Sequence, residues 1–558
     1  MSSTAAETAV APPALVNIQV DGKWVQVPKG TRAIEAVSKH GSFVPRYCYH
    51  PKLSSPGNCR MCLIEMGSPK MGPDRKPILG PDGHPEVMWI PRPQICCSAD
   101  VAEGMAYRSH SPLIEECRKG VMEFLLINHP LDCTICDQAG ECHLQEFSVE
   151  FGQADSRFLE EKVKKPKKVD LGPRILLDDE RCIMCSRCIR FTQEIAHDDA
   201  LGFTERGSHT VLTHYPGKPF ANNYTLNTVD LCPVGALTSK DFRFKMRVWF
   251  LRETSSICTS CGTGCNTTIG SRENIVYRQT PRENNEVNSE WMCDHGRLNF
   301  HFVQDAHRLT QPLARQADGS RKPVSMKRAV EEAAAQLRQF KADEIAVIAS
   351  ARMTNEELYL AGKLIRTLGV TMFDIVPRPQ QGDAILISAD GNPNTHGARL
   401  MKVSSDDPGR YIPIIARKVN DGGIKALVCL GEDAAACGVN AEVLAKLPCV
   451  IALGILQNPT SSAATVLLPG AGFTEKRGSM INVKGRLQRL NRAVEIPEGA
   501  GDDWEILRDL NAALGGGNGI YTIEELFKHI ASETPALAGL SLSKIGDLGI
   551  DLKDKLTS

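Results

Sequence analysis

Seventeen of the chain's 20 cysteines lie between Cys48 and Cys293, and fifteen of those seventeen fall into four groups with metal-ligand spacing. No other feature constrains the fold as tightly, because each group must wrap its loops around one inorganic centre. A chain of 558 residues has length for about three to four domains and does not need disulfides to hold a core. In a chain of that size, closely spaced Cys signal metal rather than bridges. The other three cysteines, Cys429, Cys437 and Cys449, are scattered. The sequence therefore divides into a metal-bearing front half and an ordinary α/β back half.

The first group is Cys48, Cys59, Cys62 and a fourth cysteine at 96 or 97, spaced C-x10-C-x2-C-x34-C when Cys97 is taken. Four thiolates on loops suit a [2Fe–2S] centre, in which each iron takes two protein sulfurs. Gly57 and Asn58 let such a loop close on sulfide. The second group, His129, Cys133, Cys136 and Cys142 in HPLDCTICDQAGEC, places a histidine four residues before a C-x2-C-x5-C run. His129 reads as the fourth ligand of a [4Fe–4S] centre, with His143 competing for the role. The third, Cys182, Cys185 and Cys188 with the distant Cys232-Pro233, is the C-x2-C-x2-C…CP pattern of bacterial ferredoxins. Cys232 most simply completes this group, with exchange towards the His129 group as the alternative. The fourth, Cys258, Cys261, Cys265 and Cys293, is spaced C-x2-C-x3-C-x27-C and matches the [4Fe–4S] site that opens molybdopterin-dependent oxidoreductases. Zinc is the competing metal at the first, third and fourth groups, most strongly at the fourth. Cys117, left over, is expected in the core of a helix face.

Between these groups the elements read simply. Residues 1–14 are rich in Ala, Ser, Thr and Pro and are expected to be a disordered leader. They lack the basic and apolar regions of a secretory signal. VNIQVDGKWVQVPKG turns at Asp21-Gly22 as a hairpin, and Thr31 is the expected cap of the helix TRAIEAVSKH, which Gly41 ends. Hairpin, helix and Cys loop together open a ferredoxin-like β-grasp. The Gly- and Pro-rich stretch from Met66 to Pro93 reads as a surface excursion between strands. Residues 111–127 read as a helix capped by Ser111, with Leu113, Cys117, Val121, Phe124 and Leu125 on its apolar face. KVKKPKK at 162–168 reads as a solvated connector. From about Lys341 short apolar strands (EIAVIAS, KALVCLG) alternate with helices such as NEELYLAGKLIRTLG, as in a layered α/β domain.

Lys and Arg total 65 against 66 Asp and Glu, so no basic field attracts nucleic acid. No apolar run approaches the ~18 residues a membrane span requires. GSPKMG and GEDAAACG lack the strand–Gly–helix setting of a dinucleotide site. No dinucleotide site is therefore expected in this chain.

The order and spacing of the four groups, with NHPLDC, GEC-x-LQ and DLCPVGALTSK, resemble the large iron–sulfur subunit (the 75 kDa type) of respiratory NADH:quinone oxidoreductase, complex I, over about residues 14–300. The resemblance implies one [2Fe–2S] and three [4Fe–4S] clusters and favours Cys97, four residues before the Val101 of V-x-x-G-M. It implies a relay that takes electrons from a flavin-bearing NADH-oxidising subunit with its small 2Fe–2S subunit. They would pass to a two-cluster ferredoxin-like subunit and then to quinone, in a peripheral position on the cytoplasmic side of the inner membrane. The implied order is a 2Fe–2S domain (15–108), a His-and-Cys 4Fe–4S segment (109–150), a ferredoxin-like 4Fe–4S domain (151–248) and a Mo/W bis-MGD-type 4Fe–4S domain (249–305). A shortened molybdopterin-oxidoreductase-like α/β domain (306–558) follows, an α+β and α/β multidomain chain overall. In that last domain Glu475, Gly478, Asn482 and Gly485–Arg486 would line the old cofactor pocket, but no residue stands out as a molybdenum ligand, so no molybdenum cofactor is expected. The alternatives are the relay of an NAD-linked formate dehydrogenase or hydrogenase, and a zinc-stabilised assembly scaffold.

Overall fold

The computed structural model describes residues 14–316, 318–517 and 519–556, so the expected leader lies, except for Ala14, outside the described residues. The chain divides into two compact units, Met1–Trp249 and Phe250–Ser558.

The first unit begins with the expected hairpin. Asp21 and Gly22 both take positive φ, 48° and 83°, as a two-residue turn between twisted strands requires. It joins strands Leu15–Val20 and Lys23–Pro28. The sheet order is Lys23–Pro28, Leu15–Val20, Ala106–Arg108, Leu63–Pro69, Val87–Trp89, with Leu15–Val20 and Ala106–Arg108 parallel. Helix Ala33–His40 buries Ala33, Ile34, Ala36 and Val37 in a core shared with Ile18, Val20, Ile64, Tyr107 and the sulfurs of Cys62, Cys96 and Cys97. Thr31 does not cap this helix. The N-cap is Arg32 without a side-chain bond, and the Thr31 hydroxyl donates to the Pro28 carbonyl at 2.7 Å. It stands one residue too early and closes the strand-to-helix turn instead. The excursion after Met66 is a narrow ribbon, bridged at Met71–Pro77 and Leu79–Pro85.

Helix Pro112–Leu126 starts where expected: Ser111 Oγ accepts from Ile114 N, with Pro at the first position. Its buried face is not the expected one. Ile114, Arg118 and Met122 point inward, while Leu113 and Phe124 are exposed, Phe124 by 79%. Cys117 is half-buried rather than core. An arginine occupies the buried stripe, its Nη2 donating to the Ser109 carbonyl at 3.1 Å and its guanidinium 5.3 Å from the Phe151 ring centroid. That inverts the polarity pattern from which the face was read.

The run at 162–168 is likewise not a solvated connector. Lys162 donates to the Leu126 and Ile127 carbonyls at 2.9 and 2.8 Å, the open C-terminal acceptors of that helix. Lys165 donates to Thr210 O at 2.6 Å and faces Asp179 at 3.8 Å. Lys167 pairs with Asp132 and Glu180 at 3.3 and 2.7 Å. The segment is a strap, tying the loop around His129 to the turn Asp179–Arg181.

In the second unit, strands Arg252–Ile257, Asn266–Arg272 and Ile275–Pro281 form an antiparallel sheet. A seven-stranded sheet follows, in the order Arg321–Pro323, Leu313–Arg315, Val466–Pro469, Cys449–Gly454, Ala426–Leu430, Ile345–Ala349, Met372–Ile375. Its last five strands are parallel, and the central ones are apolar along their runs, as strands covered on both faces must be. In chain order these five read 5-4-3-1-2, a doubly wound arrangement with a switch point between Ile345–Ala349 and Ala426–Leu430. Helix Asn355–Leu368 follows the first of them. Thr354 and Glu357 form its capping box and Gly369 closes it at φ 65°.

Candidate metal centres

Loops that bind a cluster must give up regular hydrogen bonding and bring sulfurs together without strain. The third group does this most completely. Cys182, Cys185, Cys188 and Cys232 line one cavity, walled by Ile183, Phe203, Leu212, Val234, Ala236 and Leu237. Met184 and Ser186 take positive φ, 54° and 61°, which folds C-x2-C-x2-C back on itself before Cys188 enters helix Arg187–Glu194. Burial pushes the Cys185 thiol up to about 11, and those of Cys182 and Cys188 well above the usual range. Thiols set in such an apolar shell stay protonated until a cation takes the place of their protons. Backbone N–H groups of Val234, Ala236 and Leu237 point at the Cys232 sulfur.

In the first group the Cys97 thiol reaches both Cys48 and Cys62, and Cys59 reaches Cys48. The Cys59 and Cys97 thiols donate to the Cys48 sulfur and favour its thiolate. Cys96 also touches the Cys62 sulfur, but its own thiol donates to the Cys62 carbonyl at 3.1 Å. Of the two neighbours, Cys97 is the one placed among the others. Gly57 takes φ 61° where the loop turns, and Asn58 Nδ2 anchors to the Met184 carbonyl at 3.2 Å.

In the second group Cys133 and Cys142 share a surface hollow with Arg247 and Trp249, and Cys136 and Cys133 both act on the Cys142 thiol electrostatically. Arg247 donates to the Cys136 and Thr134 carbonyls. A Cβ at Gly235 would collide with the Cys136 sulfur, so this ligand loop needs glycine beside it. His129 Nδ1 is buried without a hydrogen-bond partner. Burial first, then Arg181 and Lys162 against Asp132, holds the imidazole neutral, its pKa lowered to about 4. An orphaned, buried, neutral ring nitrogen is what a metal ligand requires. His143, by contrast, packs its ring 5.9 Å from Phe147.

In the fourth group Cys258, Cys261, Cys265 and Cys293 are all buried and act on one another electrostatically. Burial raises Cys258 to about 12 and Cys293 to about 11. Gly296 sits 2.9 and 3.3 Å, by its hypothetical Cβ, from the Cys258 and Cys293 sulfurs; any side chain there would fill the space between them. Among the described residues no three His, Cys, Asp or Glu side chains converge as a single metal ion needs.

Five family models match in the order of these sites. They are a 2Fe-2S iron-sulfur cluster binding domain (14–112) and the NADH-ubiquinone oxidoreductase-G iron-sulfur binding region (118–157). The NADH-quinone oxidoreductase subunit 3 ferredoxin-like domain follows (172–238), then an NDSU1/NuoG-like 4Fe-4S domain (251–301) and molybdopterin oxidoreductase (391–513). The G-type subunit of Streptomyces coelicolor NADH-quinone oxidoreductase is 38% identical over 64% of this chain and 40% of its own length. Subunit 3 of the Thermus thermophilus NADH-quinone oxidoreductase is 37% identical over 65% and 48%. The potato mitochondrial iron-sulfur protein 1 of NADH dehydrogenase [ubiquinone] is 38% identical over 64% and 45%. Over some two thirds of its length the chain is similar to the G-type, large iron–sulfur subunits of NADH-quinone oxidoreductases. It spans 40 to 48% of the length of these three relatives.

By these matches the chain carries 2Fe–2S and 4Fe–4S domains and a molybdopterin-oxidoreductase-like domain. The residues expected to line a pterin pocket in that last domain are engaged inside the fold. The crevice at its strand switch point, where such folds take phosphates, holds the Glu432 carboxylate, 8% exposed and paired with Arg378 at 2.6 Å. That carboxylate is offset by two cations, Arg378 and the nearby Arg352. The expected pocket lining is also spent internally. Glu475 pairs with Arg308 at 2.5 Å and accepts from Gly472 N at 2.6 Å. Asn482 bonds to Thr263 O, Lys484 N and Arg486 N. Gly478 abuts Thr354 and Glu356, and Arg486 reaches Gly549 O. These groups are committed to contacts inside the fold, and none of them is left to face a ligand.

Sequence reading missed the residues that join the sites. Arg187 and Arg190 on the ligand helix, and the lysine strap, contact the ligand loops directly, and only the i, i+3 spacing of the two arginines hinted at a shared face.

Proposed function

We propose that this chain is the electron-relay subunit of an NADH-quinone oxidoreductase. Cys48, Cys59, Cys62 and Cys97 hold a [2Fe–2S] cluster. His129, Cys133, Cys136 and Cys142; Cys182, Cys185, Cys188 and Cys232; and Cys258, Cys261, Cys265 and Cys293 each hold a [4Fe–4S] cluster. The observation that carries the reading is the apolar cavity ringed by all four cysteines of the third group. Bound clusters would supply one-electron carriers. The chain's own residues exclude water with Ile183, Phe203 and Leu212 and aim backbone N–H groups at sulfur. They also give the second site a neutral ligand in place of one thiolate, so the tetranuclear sites need not share a potential. With its expected pocket lining held in contacts inside the fold, the last domain serves as scaffold without molybdenum.

By family analogy electrons arrive from a flavin-bearing NADH-oxidising subunit beside a small 2Fe–2S subunit. They leave for a two-cluster ferredoxin-like subunit and then quinone, with the chain held peripherally at the cytoplasmic side of the membrane. No described helix is long and apolar enough to cross a membrane, which is consistent with attachment through other subunits. The test is metal and EPR counting on the reduced full chain. About 14 iron atoms and four signals are expected, two iron from the binuclear site and four from each tetranuclear one. A colourless protein holding zinc would overturn the reading.

A further inference from the structure

One guanidinium touches the ligand loops of two cysteine groups. Arg190 stands two residues beyond Cys188 and is 8% exposed. Its Nη2 donates to the Cys48 carbonyl at 2.6 Å and the Cys185 carbonyl at 3.4 Å. Its Nη1 donates to the Ser54 carbonyl and its Nε to Ser186 Oγ at 3.2 Å. One turn away Arg187 repeats the pattern, with Nη2 to Tyr49 O at 2.5 Å and Nη1 to Leu231 O at 3.3 Å: one acceptor beside Cys48, the other beside Cys232. Glu194 extends the face by accepting from Ser54 N at 2.8 Å. The helix that carries Cys188 is thus bolted to the loop that carries Cys48.

We propose that Arg190, beside Arg187, is a shared cation of the binuclear site and the Cys182 site, docking their ligand loops through the Cys48 and Cys185 carbonyls and raising both reduction potentials. This rests on the reading that those two groups hold clusters. A guanidinium is always charged, and the four acceptors of Arg190 are neutral oxygens, so its charge remains for the sites beside it. Each reduction adds one negative charge near that cation, and little solvent intervenes to screen the attraction. Hydrogen bonds and local charge are the means by which a protein sets cluster potentials. Arg190 is a positioning residue, and no bond or proton is exchanged at it.

The test is an EPR-monitored redox titration of the full chain, with the Cys182-site signal identified by its loss in Cys232→Ser. Arg190→Gln removes the charge while keeping one amide NH2 donor. It is expected to lower both midpoints by at least about tenfold in the one-electron equilibrium, ~59 mV, leaving the Cys258 site unmoved. Arg190→Lys keeps the charge and should recover most of the shift. The proposal is overturned if either midpoint stays fixed in Arg190→Gln, if all clusters shift together, if Arg190→Lys matches Arg190→Gln, or if Arg190→Gln loses iron from either site. Absence of the two signals from the unaltered chain would instead overturn the cluster reading itself.

Discussion

A buried imidazole with an unpaired Nδ1 and a pair of adjacent cysteines carry the sharpest residue-level consequences. His129 is kept neutral by burial, so replacing it by a thiolate adds one negative charge to its cluster. His129→Cys should retain four iron atoms at that site while lowering its midpoint, measured by redox titration; an unchanged midpoint would remove His129 from the ligand set. Cys96 and Cys97 separate by the same logic. Cys97 reaches two ligand sulfurs, whereas the Cys96 thiol donates to a carbonyl. Cys97→Ser should abolish the binuclear EPR signal and Cys96→Ser should preserve it, and the reverse result would exchange their roles. The four cysteine groups were legible in the sequence because their spacing is that of cluster ligands. The choice between neighbours was not, because the two residues share one short turn, Cys96–Ser98, and only the backbone path decides which sulfur faces Cys48.

Helices and strands were legible wherever local chemistry fixed them, as at the Asp21-Gly22 hairpin and the Ser111 cap. They misled where long-range contacts overrode local pattern. Arg118 sits in a buried stripe that hydropathy assigns to solvent, and the lysines at 162–168 find carbonyls and carboxylates more than thirty residues away. Helix Asn355–Leu368 shows the energetic side of such burial. Glu356 at its start is fully buried and accepts from Ser479 N and Oγ at 2.9 and 2.8 Å. Burial nonetheless raises its pKa from 4.5 to about 7. A raised carboxyl pKa makes its contribution to stability greatest below the unfolded value, and that contribution is lost as pH rises through about 7. The second unit should therefore lose stability between about pH 5 and pH 8. Glu356→Gln should add on the order of 2 kcal/mol at pH 8 and little at pH 5, read by chemical unfolding at both values. An equal gain at the two pH values would show that ionisation of Glu356 is not the cause.

At the scale of the whole chain, the division into two units separates the sites. The groups at Cys48, His129 and Cys182 all lie within Met1–Trp249, and the group at Cys258 lies within Phe250–Ser558. Within the first unit the sites are physically linked. Arg190 bridges Cys48 and Cys185, the His143 N–H donates to the Pro233 carbonyl at 3.2 Å, and Gly235 lies against the Cys136 sulfur. The Cys258 group is built from its own unit's antiparallel sheet, with Cys258 N donating to Cys265 O at 2.8 Å and Asn482 holding Thr263 O at 3.1 Å. On the proposed reading the relay runs through the linked set. Cys293→Ala should thus remove one tetranuclear signal and about four iron atoms while NADH-to-quinone turnover in the assembled complex is retained. The other three EPR signals should keep their midpoints, since no ligand loop among them depends on Cys293. Complete loss of turnover, with those three signals intact, would place the Cys258 site on the main path and give the second unit a part in conduction rather than in support.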